Sequence, residues 1–411
     1  GYMAFHDCTS LSYIVFRGNA PSVEGFIFEG TDKLKNIYYQ EGSSGWTNPW
    51  EYKETIGLKQ EDLVIINDPV NQIVMPDFKT SFEIAVVSYS DLSYQWYKDE
   101  VAIEGANDAA FVIESAQVAD GGSYTVRVSN GYASADRQAT LRVITERTGD
   151  PDSDFQYTLN GRVATITGYL GTNTNVAIPN IVEGCLVNHI GDNAFNGRDS
   201  LTKITIPDSI ISIGASAFSG CKALTRIIIP DSVTSIGAAA FYECSELTSA
   251  VIGNSVLGIG ESTFNGCKSM TSVTIGNSVT SIGEYAFNYC TNLTYVVIPD
   301  SVTSIGYNAF QYCTNLALVV FKGDAPVVES YIFYYCTALK YICYIEGTSG
   351  WTDPWASKTT AVLKQEDILI INNPLNQMVF PNTRVSIGVS AYSLSDLSYQ
   401  WYKDGIAIEG A

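Results

Sequence analysis

The chain has 411 residues, of which 46% are hydrophobic and only 16% charged, so it can bury large cores and lacks the composition of a disordered segment. Its 43 acidic and 23 basic residues give a net charge of −20, which argues against binding to nucleic acids and anionic membranes. No apolar run approaches the ~20 residues of a membrane-spanning helix, so we expect no membrane insertion within this sequence. The two histidines, His6 and His189, lie in separate segments and offer little for a catalytic or metal site.

Sequence segments from the first hundred residues recur much further along the chain. F-R-G-N-A-P at 16–21 returns 305 residues later as F-K-G-D-A-P at 321–326, and S-Y-Q-W-Y-K-D at 93–99 returns at the same distance, at 398–404. This long period predicts a tandem array of modules, with both ends of the chain lying inside a module. We interpret residues 1–58 as the C-terminal end and cap of a first repeat block.

Residues 59–146 contain short β-prone runs separated by turn residues, the spacing typical of a β-sandwich. Trp96 in Y-Q-W-Y and the run D-G-G-S-Y-T-V at 120–126 match the core tryptophan and the tyrosine corner of immunoglobulin-like domains. Val126 stands where such domains have their second cysteine. We therefore expect a sandwich that is held by packing without the inter-sheet disulfide.

From residue 195 the chain repeats a 23-residue unit, A-F-x-x-C-x-x-L-x-x-V-x-I-P-x-S-V-T-S-I-G with small variations. The phenylalanines of this unit are Phe195, Phe218, Phe241, Phe264, Phe287, Phe310 and Phe333. A fixed period of this length predicts a solenoid in which each coil has short strands and a short helical or 3₁₀ turn. Equivalent side chains should then stack in columns at the ~4.8 Å spacing of strands.

The second repeat block is predicted to span residues 147–363, with a β-rich N-terminal lead-in and a C-terminal cap that contains Trp351 and Trp355. Residues 364–411 are interpreted as a truncated second immunoglobulin-like domain, which ends before the counterpart of the Tyr124 strand. Because this would leave strand edges unpaired, we expect the segment to be unfolded or prone to aggregation.

On these residues, the repeat unit resembles the BspA-like leucine-rich repeats, and the intervening module resembles bacterial immunoglobulin-like domains. The resemblance implies a mainly β fold in which a leucine-rich-repeat solenoid alternates with β-sandwich modules. It also implies a secreted or surface-attached bacterial protein that binds other macromolecules, since some members are described as adhesins. These families share no catalytic residues, so the resemblance supplies no catalytic, cofactor-binding or metal-binding residue.

Two polar columns invite a chemical interpretation but are better explained as structure. The cysteines one coil apart are Cys221, Cys244, Cys267, Cys290, Cys313 and Cys336. Side chains that point the same way can neither form disulfides nor converge on zinc, so we expect buried thiols. Asp208, Asp231 and Asp300 follow proline and share their slot with Asn254 and Asn277, which indicates turn formation rather than a calcium ladder.

Tyrosines are concentrated in the C-terminal coils. One slot of the coil holds Tyr289, Tyr312 and Tyr335, whereas earlier coils have Gly220, Glu243 and Gly266 there. Tyr285, Tyr307, Tyr331 and Tyr334 lie nearby. Because tyrosine is favoured at binding surfaces, we take Tyr285, Tyr289, Tyr307, Tyr312 and Tyr335 as candidate partner-binding residues. The alternative is a stack that only shields the coil edges.

The outward face of the first strand of each coil is the second candidate surface. Its slots hold Lys203, Arg226, Ser249, Ser272, Tyr295 and Leu318, and the adjacent slots are rich in Thr, Ile and Val. Such a face could bind a partner, as concave solenoid surfaces do, or could be covered by the opposite side of a flattened coil, because Ile and Val fit both environments. Lys203, Arg226 and Tyr295 are the candidate binding residues of this face.

The sequence therefore favours a non-enzymatic, extracellular or cell-surface binding or adhesion protein. Its solenoid faces would recognise an extracellular protein or carbohydrate partner, and its immunoglobulin-like modules would act as spacers. No nucleophile–base–orienter triad can be assembled, and no motif proposes a glycosidase carboxylate pair or a cofactor site. The alternative hypothesis is a passive stalk or surface-layer spacer that displays an effector domain outside this sequence.

Overall fold

The computed structural model describes residues 3–23, 26–31, 33–372, 390–403 and 406–408. The chain forms two compact units, Gly1–Glu146 and Arg147–Ala411. The described residues contain many short strands and no α-helix, only two three-residue 3₁₀ turns, Val118–Asp120 and Asp152–Asp154. The mainly β fold predicted from the sequence is confirmed.

The first unit opens with three parallel strands, β1 (Tyr13–Phe16), β2 (Asn36–Gln40) and β3 (Glu54–Leu58). Trp46 and Trp50 both pack on Phe16, with ring centroids 5.2 and 5.7 Å away. The two indoles also contact each other at 4.9 Å. Since aromatic rings bury large apolar areas, this layer closes the open end of the small core around Ile37.

The immunoglobulin-like module follows at once. Its strands are β4 (Leu63–Asn67), β5 (Gln72–Val74), β6 (Thr80–Glu83), β7 (Ala85–Ser88), β8 (Ser93–Lys98), β9 (Val101–Ala102), β10 (Ala110–Ile113), β11 (Gly122–Ser129) and β12 (Ser134–Val143). One sheet has the order β5-β12-β11-β8-β9, and β10 with β6 and β4 with β7 form the opposing pairs. Trp96 and Val126 are fully buried, and the Tyr124 hydroxyl donates to the Asp120 carbonyl at 2.8 Å. The predicted tryptophan core and tyrosine corner are therefore confirmed.

The second unit begins with a β-rich lead-in. Its strands are β13 (Phe155–Asn160), β14 (Val163–Tyr169), β15 (Asn175–Ala177), β16 (Ile181–Val182) and β17 (Cys185–Ile190). β13 and β14 form an antiparallel hairpin, and β14 pairs in parallel with β17. The rings of Phe155 and Tyr169 lie against Phe195, at 6.5 and 5.8 Å, and so cover the first coil of the solenoid.

Each solenoid coil contributes one strand to each of two rows of parallel strands. The first row holds β18 (Lys203–Thr205), β20 (Arg226–Ile228), β22 (Ser249–Val251), β24 (Ser272–Thr274), β26 (Tyr295–Ile298), β28 (Leu318–Phe321), β30 (Tyr341–Ile345) and β31 (Thr359–Leu363). The second row holds β19 (Ser212–Ile213), β21 (Ser235–Ile236), β23 (Gly258–Ile259), β25 (Ser281–Ile282), β27 (Ser304–Ile305) and β29 (Val327–Val328). Pairing is in register, so Ser249 faces Ser272 one coil later.

The predicted short helical or 3₁₀ segment of each coil is a run of hydrogen-bonded turns. In one coil, for example, the Tyr242 N–H donates to the Ala239 carbonyl at 3.0 Å and the Cys244 N–H donates to the Phe241 carbonyl at 3.3 Å. These are the i+3→i bonds of 3₁₀ geometry. The turns direct each phenylalanine of the repeat into the core.

The phenylalanine column forms as the period predicts. Successive rings from Phe195 to Phe333 stack with centroids 5.0–5.6 Å apart. The column is almost completely buried, since no member exceeds 3% exposure. The constant winding step therefore produces one continuous core.

The cysteine and aspartate columns are structural, as predicted. All nine cysteines are free thiols, and in the column each Sγ lies within hydrogen-bond distance of the carbonyl of the phenylalanine 26 residues earlier, as for Cys267 and Phe241 at 3.3 Å. In the other column, the Asp231 carboxylate accepts the Asn254 N–H at 2.6 Å. The side chain of Asn254 accepts the Asn277 N–H at 3.1 Å in turn, so this column links the turns of neighbouring coils.

Four further strands follow the solenoid: β32 (Ile368–Asn372), β33 (Ser390–Ser393), β34 (Tyr402–Lys403) and β35 (Ile406–Ala407). β32 pairs with β33 and β34 pairs with β35, both antiparallel. The predicted second immunoglobulin-like domain at 364–411 falls in part on 373–389, 404–405 and 409–411, which lie outside the described residues. Its unfolding and the four domain boundaries stay predictions.

Candidate functional site

Seven tyrosines of the last coils form one continuous aromatic cluster on the turn side of the solenoid. Tyr289, Tyr312 and Tyr335, here called the tyrosine ladder, stack face to face at 4.5 and 4.7 Å with interplanar angles of 10° and 6°. The remaining contacts are edge to face. They join Tyr285 to Tyr307, Tyr307 to Tyr331, Tyr331 to Tyr334 and Tyr334 to Tyr335.

The ladder occupies a left-handed backbone position. Its φ angles are 57°, 59° and 59°, in a slot that the earlier coils fill with Gly197, Gly220 and Gly266 at 69–80° and with Glu243 at 55°. The left-handed region costs an L-residue roughly 1–2 kcal/mol, and glycine nothing. Glycine is therefore the residue that the backbone of this slot favours, and the fold alone does not explain three successive tyrosines.

The ladder is also partly exposed. In the ladder, Tyr289 and Tyr335 are 42% and 48% accessible to solvent. The neighbouring Tyr331 of the cluster is 61% accessible. Rings that stack while keeping their hydroxyl edges in water combine apolar contact area with hydrogen-bonding capacity, the property that makes tyrosine common at interfaces. A surface of this kind can bind a partner without rearranging its side chains.

A cleft of about 490 Å³ adjoins the end of the ladder. It is lined by Tyr331, Tyr334 and Tyr335 together with Ala356 to Lys358 of the cap. Glu329 also lines it, and its carboxylate accepts the Tyr307 N–H at 3.1 Å. This volume lies in the range of small-ligand or side-chain pockets.

Two phenols of the cluster, those of Tyr312 and Tyr334, have raised pKa values. Loss of solvent contact, together with the neighbouring Tyr289 and Tyr335, raises the pKa of Tyr312. A hydrogen bond to Tyr335 raises the pKa of Tyr334. The surroundings of Tyr312 and Tyr334 therefore favour the neutral phenol, which offers a hydroxyl group and ring surface.

The outward face of the first strand row is open in the early coils. Lys203 and Arg226 are exposed, and Ile228 beside them is 50% accessible. These two basic residues, drawn from the predicted candidates, lie on adjacent strands. They form a small basic patch with an apolar neighbour on an otherwise acidic chain.

The same face is covered in the last coils. Leu318, Val320, Cys343 and Leu363 are buried in one cluster. The side chains packed against them from beyond the solenoid are Leu369, Tyr392 and Leu394. The third candidate of this face, Tyr295, belongs to the same cluster and is half-buried. The face is thus covered in the last coils by the strands that follow the solenoid, and not by the opposite side of the coil, the alternative that the sequence left open. Partner binding by the early coils stays a prediction.

The sequence did not indicate two groups of the cleft. Glu329 stands in a slot that holds Gly214, Gly237, Gly260, Gly283 and Gly306 in earlier coils, so the break in the glycine column was an available signal. Lys358 follows the last coil, and its Nζ donates to the carbonyls of Cys336 and Leu339. The 23-residue pattern ends before Lys358, so its role could be found only in the structure.

Within the described residues, no group of three His, Cys, Asp or Glu side chains could hold a metal ion. Over the same residues, the structure has no helix long and apolar enough to cross a bilayer.

The fold and its columns define a leucine-rich-repeat solenoid combined with an immunoglobulin-like sandwich. The family model of the BspA type leucine rich repeat region matches six copies, at residues 1–50, 188–317 and 258–350, which together are about half of the chain. The chain belongs to this family. The immunoglobulin I-set model matches residues 63–143, and neither of the two models describes a catalytic domain.

Solved structures similar to the chain include a leucine rich repeat protein of T. pallidum, TpLRR, which is 34% identical over 47% of this chain and 91% of its own, with a TM-score of 0.44. A leucine rich cell surface protein of Faecalibacterium prausnitzii is 28% identical over 49% of this chain and 72% of its own, with a TM-score of 0.35. The titin M4 domain is 22% identical over 20% of this chain and 95% of its own, with a TM-score of 0.19. No curated protein has a sequence that matches this chain significantly.

Proposed function

We propose that this chain is part of a non-enzymatic adhesion protein that acts outside the cell or on its surface, and that its second repeat block binds a protein or carbohydrate partner through the tyrosine ladder. Membership of the BspA type family supports a binding role, and a similar solved structure carries the name of a cell surface protein. The immunoglobulin-like module acts as a spacer between repeat blocks.

The observation that carries this proposal is the left-handed backbone of the ladder. Tyr289, Tyr312 and Tyr335 occupy positions where glycine is less strained and where the same chain uses glycine in other coils. Strained positions of this kind persist mainly where they serve a function. A tyrosine in this slot costs conformational energy, which a gain in binding would offset.

The first repeat block supports the same interpretation. Residues 305 positions before Tyr312 and Tyr335 are Asp7 and Gly30, which also have left-handed backbone angles of 56° and 72°. The slot therefore keeps its conformation in both blocks while its side chains change. Variation of the side chain on a constant backbone is expected of a recognition position.

The test is a binding screen on arrays of matrix proteins and glycans, with two variants of the full chain. The ladder variant Y289G/Y312G/Y335G introduces the residue that other coils carry in that slot. The matched strand-face variant K203S/R226S/Y295S introduces the serine found at Ser249 and Ser272. We expect the wild-type chain to bind at least one target, the ladder variant to lose at least about tenfold in affinity, and the strand-face variant to keep it.

Loss of affinity in the strand-face variant alone would move the site to the Lys203–Arg226 patch and contradict the ladder assignment. Equal binding by all three chains would contradict both surfaces. A wild-type chain that binds no target would support the alternative, a spacer that displays another domain.

A further inference from the structure

The cleft beside Tyr335 and the ladder expose different parts of their tyrosine rings. Inside the ladder, the face-to-face stacking at 4.5 and 4.7 Å covers both faces of Tyr312 and leaves mainly ring edges and hydroxyls free. Tyr331 and Tyr334 meet their neighbours at 62°, 61° and 86°. No ring among the described residues stacks face to face on either of them. Face-to-face stacking therefore covers neither Tyr331 nor Tyr334, and both rings line the cleft.

The cleft contains one charged group of each sign. Glu329 is an exposed residue that lines the cleft, and its carboxylate accepts the Tyr307 N–H. The Lys358 ammonium donates to the carbonyls of Cys336 and Leu339, at 3.2 and 3.1 Å, and is thereby held at the end of the last coil. Hydrogen bonds engage the Lys358 ammonium, and the Tyr307 N–H bonds to one oxygen of the Glu329 carboxylate, so a ligand meets an acceptor together with the tyrosine rings.

We propose that this cleft binds a cationic side chain, arginine or lysine, from a basic segment of a protein partner. A cation placed over tyrosine faces is attracted by their quadrupoles, and Glu329 supplies a carboxylate within the same cleft. The net charge of −20 draws a basic segment towards the chain, whereas a neutral glycan gains nothing from it. The inference rests on the proposed adhesion function and narrows its partner from protein or carbohydrate to a basic protein.

The first repeat block provides an internal comparison. The positions that correspond to Tyr331, Tyr334 and Tyr335 are Phe26, Glu29 and Gly30. The three-tyrosine wall is therefore particular to the second block. We assign binding of the cationic side chain to the second block alone.

The experiment measures binding of the full chain to a hexa-arginine peptide, a hexa-lysine peptide and an uncharged Gly-Ser peptide by calorimetry. The cleft variant Y331N/Y334N/Y335G changes no charge, and each new residue occurs in the same column, at Asn193, Asn196 and Gly197. E329Q removes the carboxylate, and E246Q removes one exposed carboxylate elsewhere in the solenoid as its matched control. Circular dichroism melting shows that each variant is folded.

We expect the basic peptides to bind and the Gly-Ser peptide not to bind. The cleft variant should weaken hexa-arginine binding about tenfold, and E329Q should weaken it more than E246Q does. Unchanged affinity in the folded cleft variant would overturn the proposal, because it would show attraction by overall charge only. Absence of peptide binding would overturn it as well. If no peptide binds but the ladder variant Y289G/Y312G/Y335G still has a lower affinity for a target on the arrays, the proposed function stands. Only the assignment of a cationic ligand is then wrong.

Discussion

The phenylalanine and tyrosine columns have opposite relations to the fold. Phe264 is fully buried and stacks on Phe241 and Phe287 at 5.3 and 5.4 Å. Tyr312 stacks equally closely but lies on the surface with a backbone that glycine would adopt more readily. The first column stabilises the solenoid, whereas the second places tyrosine rings on the surface at strained backbone positions.

This contrast predicts different costs for single substitutions. F264A should lower the free energy of unfolding by about 3–5 kcal/mol, since it leaves a cavity in the core. Y312G should change it by less than about 1 kcal/mol, because relief of the left-handed backbone offsets the lost stacking and the added chain entropy. Urea unfolding followed by circular dichroism measures both. A cost for Y312G near that of F264A would show that the ladder is mainly structural.

The 23-residue period was sufficient to predict the columns, because identical side chains at a constant winding step must come into register. It did not reveal the left-handed backbone at Tyr289, Tyr312 and Tyr335. The glycines in the same slot of earlier coils were the available signal. Whether the strand face was open or covered could not be predicted, since its Ile and Val residues fit both environments and the covering residue Tyr392 lies in the following module.

The cysteine column links neighbouring coils through weak sulfur hydrogen bonds inside the core. Burial raises the pKa of Cys221 to about 12 and raises the pKa values of Cys244, Cys267 and Cys290 as well. In the unfolded chain these thiols would ionise near their ordinary pKa of about 8.5. Burial therefore favours the neutral form of these four thiols in the folded protein.

Stability should consequently fall in alkaline solution. Because the pKa of these thiols is raised in the folded state, their full contribution to stability is present below about pH 8.5. This contribution is lost as the pH rises towards the folded pKa, because in this range only the unfolded chain ionises. Above about pH 8.5, each of the four thiols with a raised pKa should cost up to about 1.4 kcal/mol per pH unit. Urea unfolding midpoints between pH 7 and pH 9.5 measure how steeply the free energy of unfolding falls with pH. C267A should make this slope shallower by the contribution of one thiol. An identical slope in C267A would contradict this account.

At the scale of the whole molecule, one packing arrangement occurs in both compact units. In the first unit, Tyr38 and Leu58 of the repeat block are buried against Val87 of the immunoglobulin-like module. The residues 305 positions later, Cys343, Leu363 and Tyr392, belong to one cluster in the second unit. The end of each repeat block is thus covered by the strands that follow it. This restricts the open strand face to the early coils.

We expect the first repeat block and its immunoglobulin-like module to be coupled in stability. V87D places a charge in the shared apolar contact and should accelerate hydrogen exchange in β2 and β3 as well as in β7. V101D makes the same change at a strand position of the module that is 69% exposed, and should leave β2 and β3 unaffected. Exchange that is faster only within the immunoglobulin-like module would show that the contact contributes no coupling.

The measurement that tests the account most directly determines binding and stability of Y289G/Y312G/Y335G on the same preparation, with a partner identified on the arrays. We expect this variant to have an unfolding midpoint close to that of the wild-type chain and to lose binding. A variant that unfolds much earlier, or one that keeps its affinity, would contradict the claim that these tyrosines are present for recognition and not for the fold.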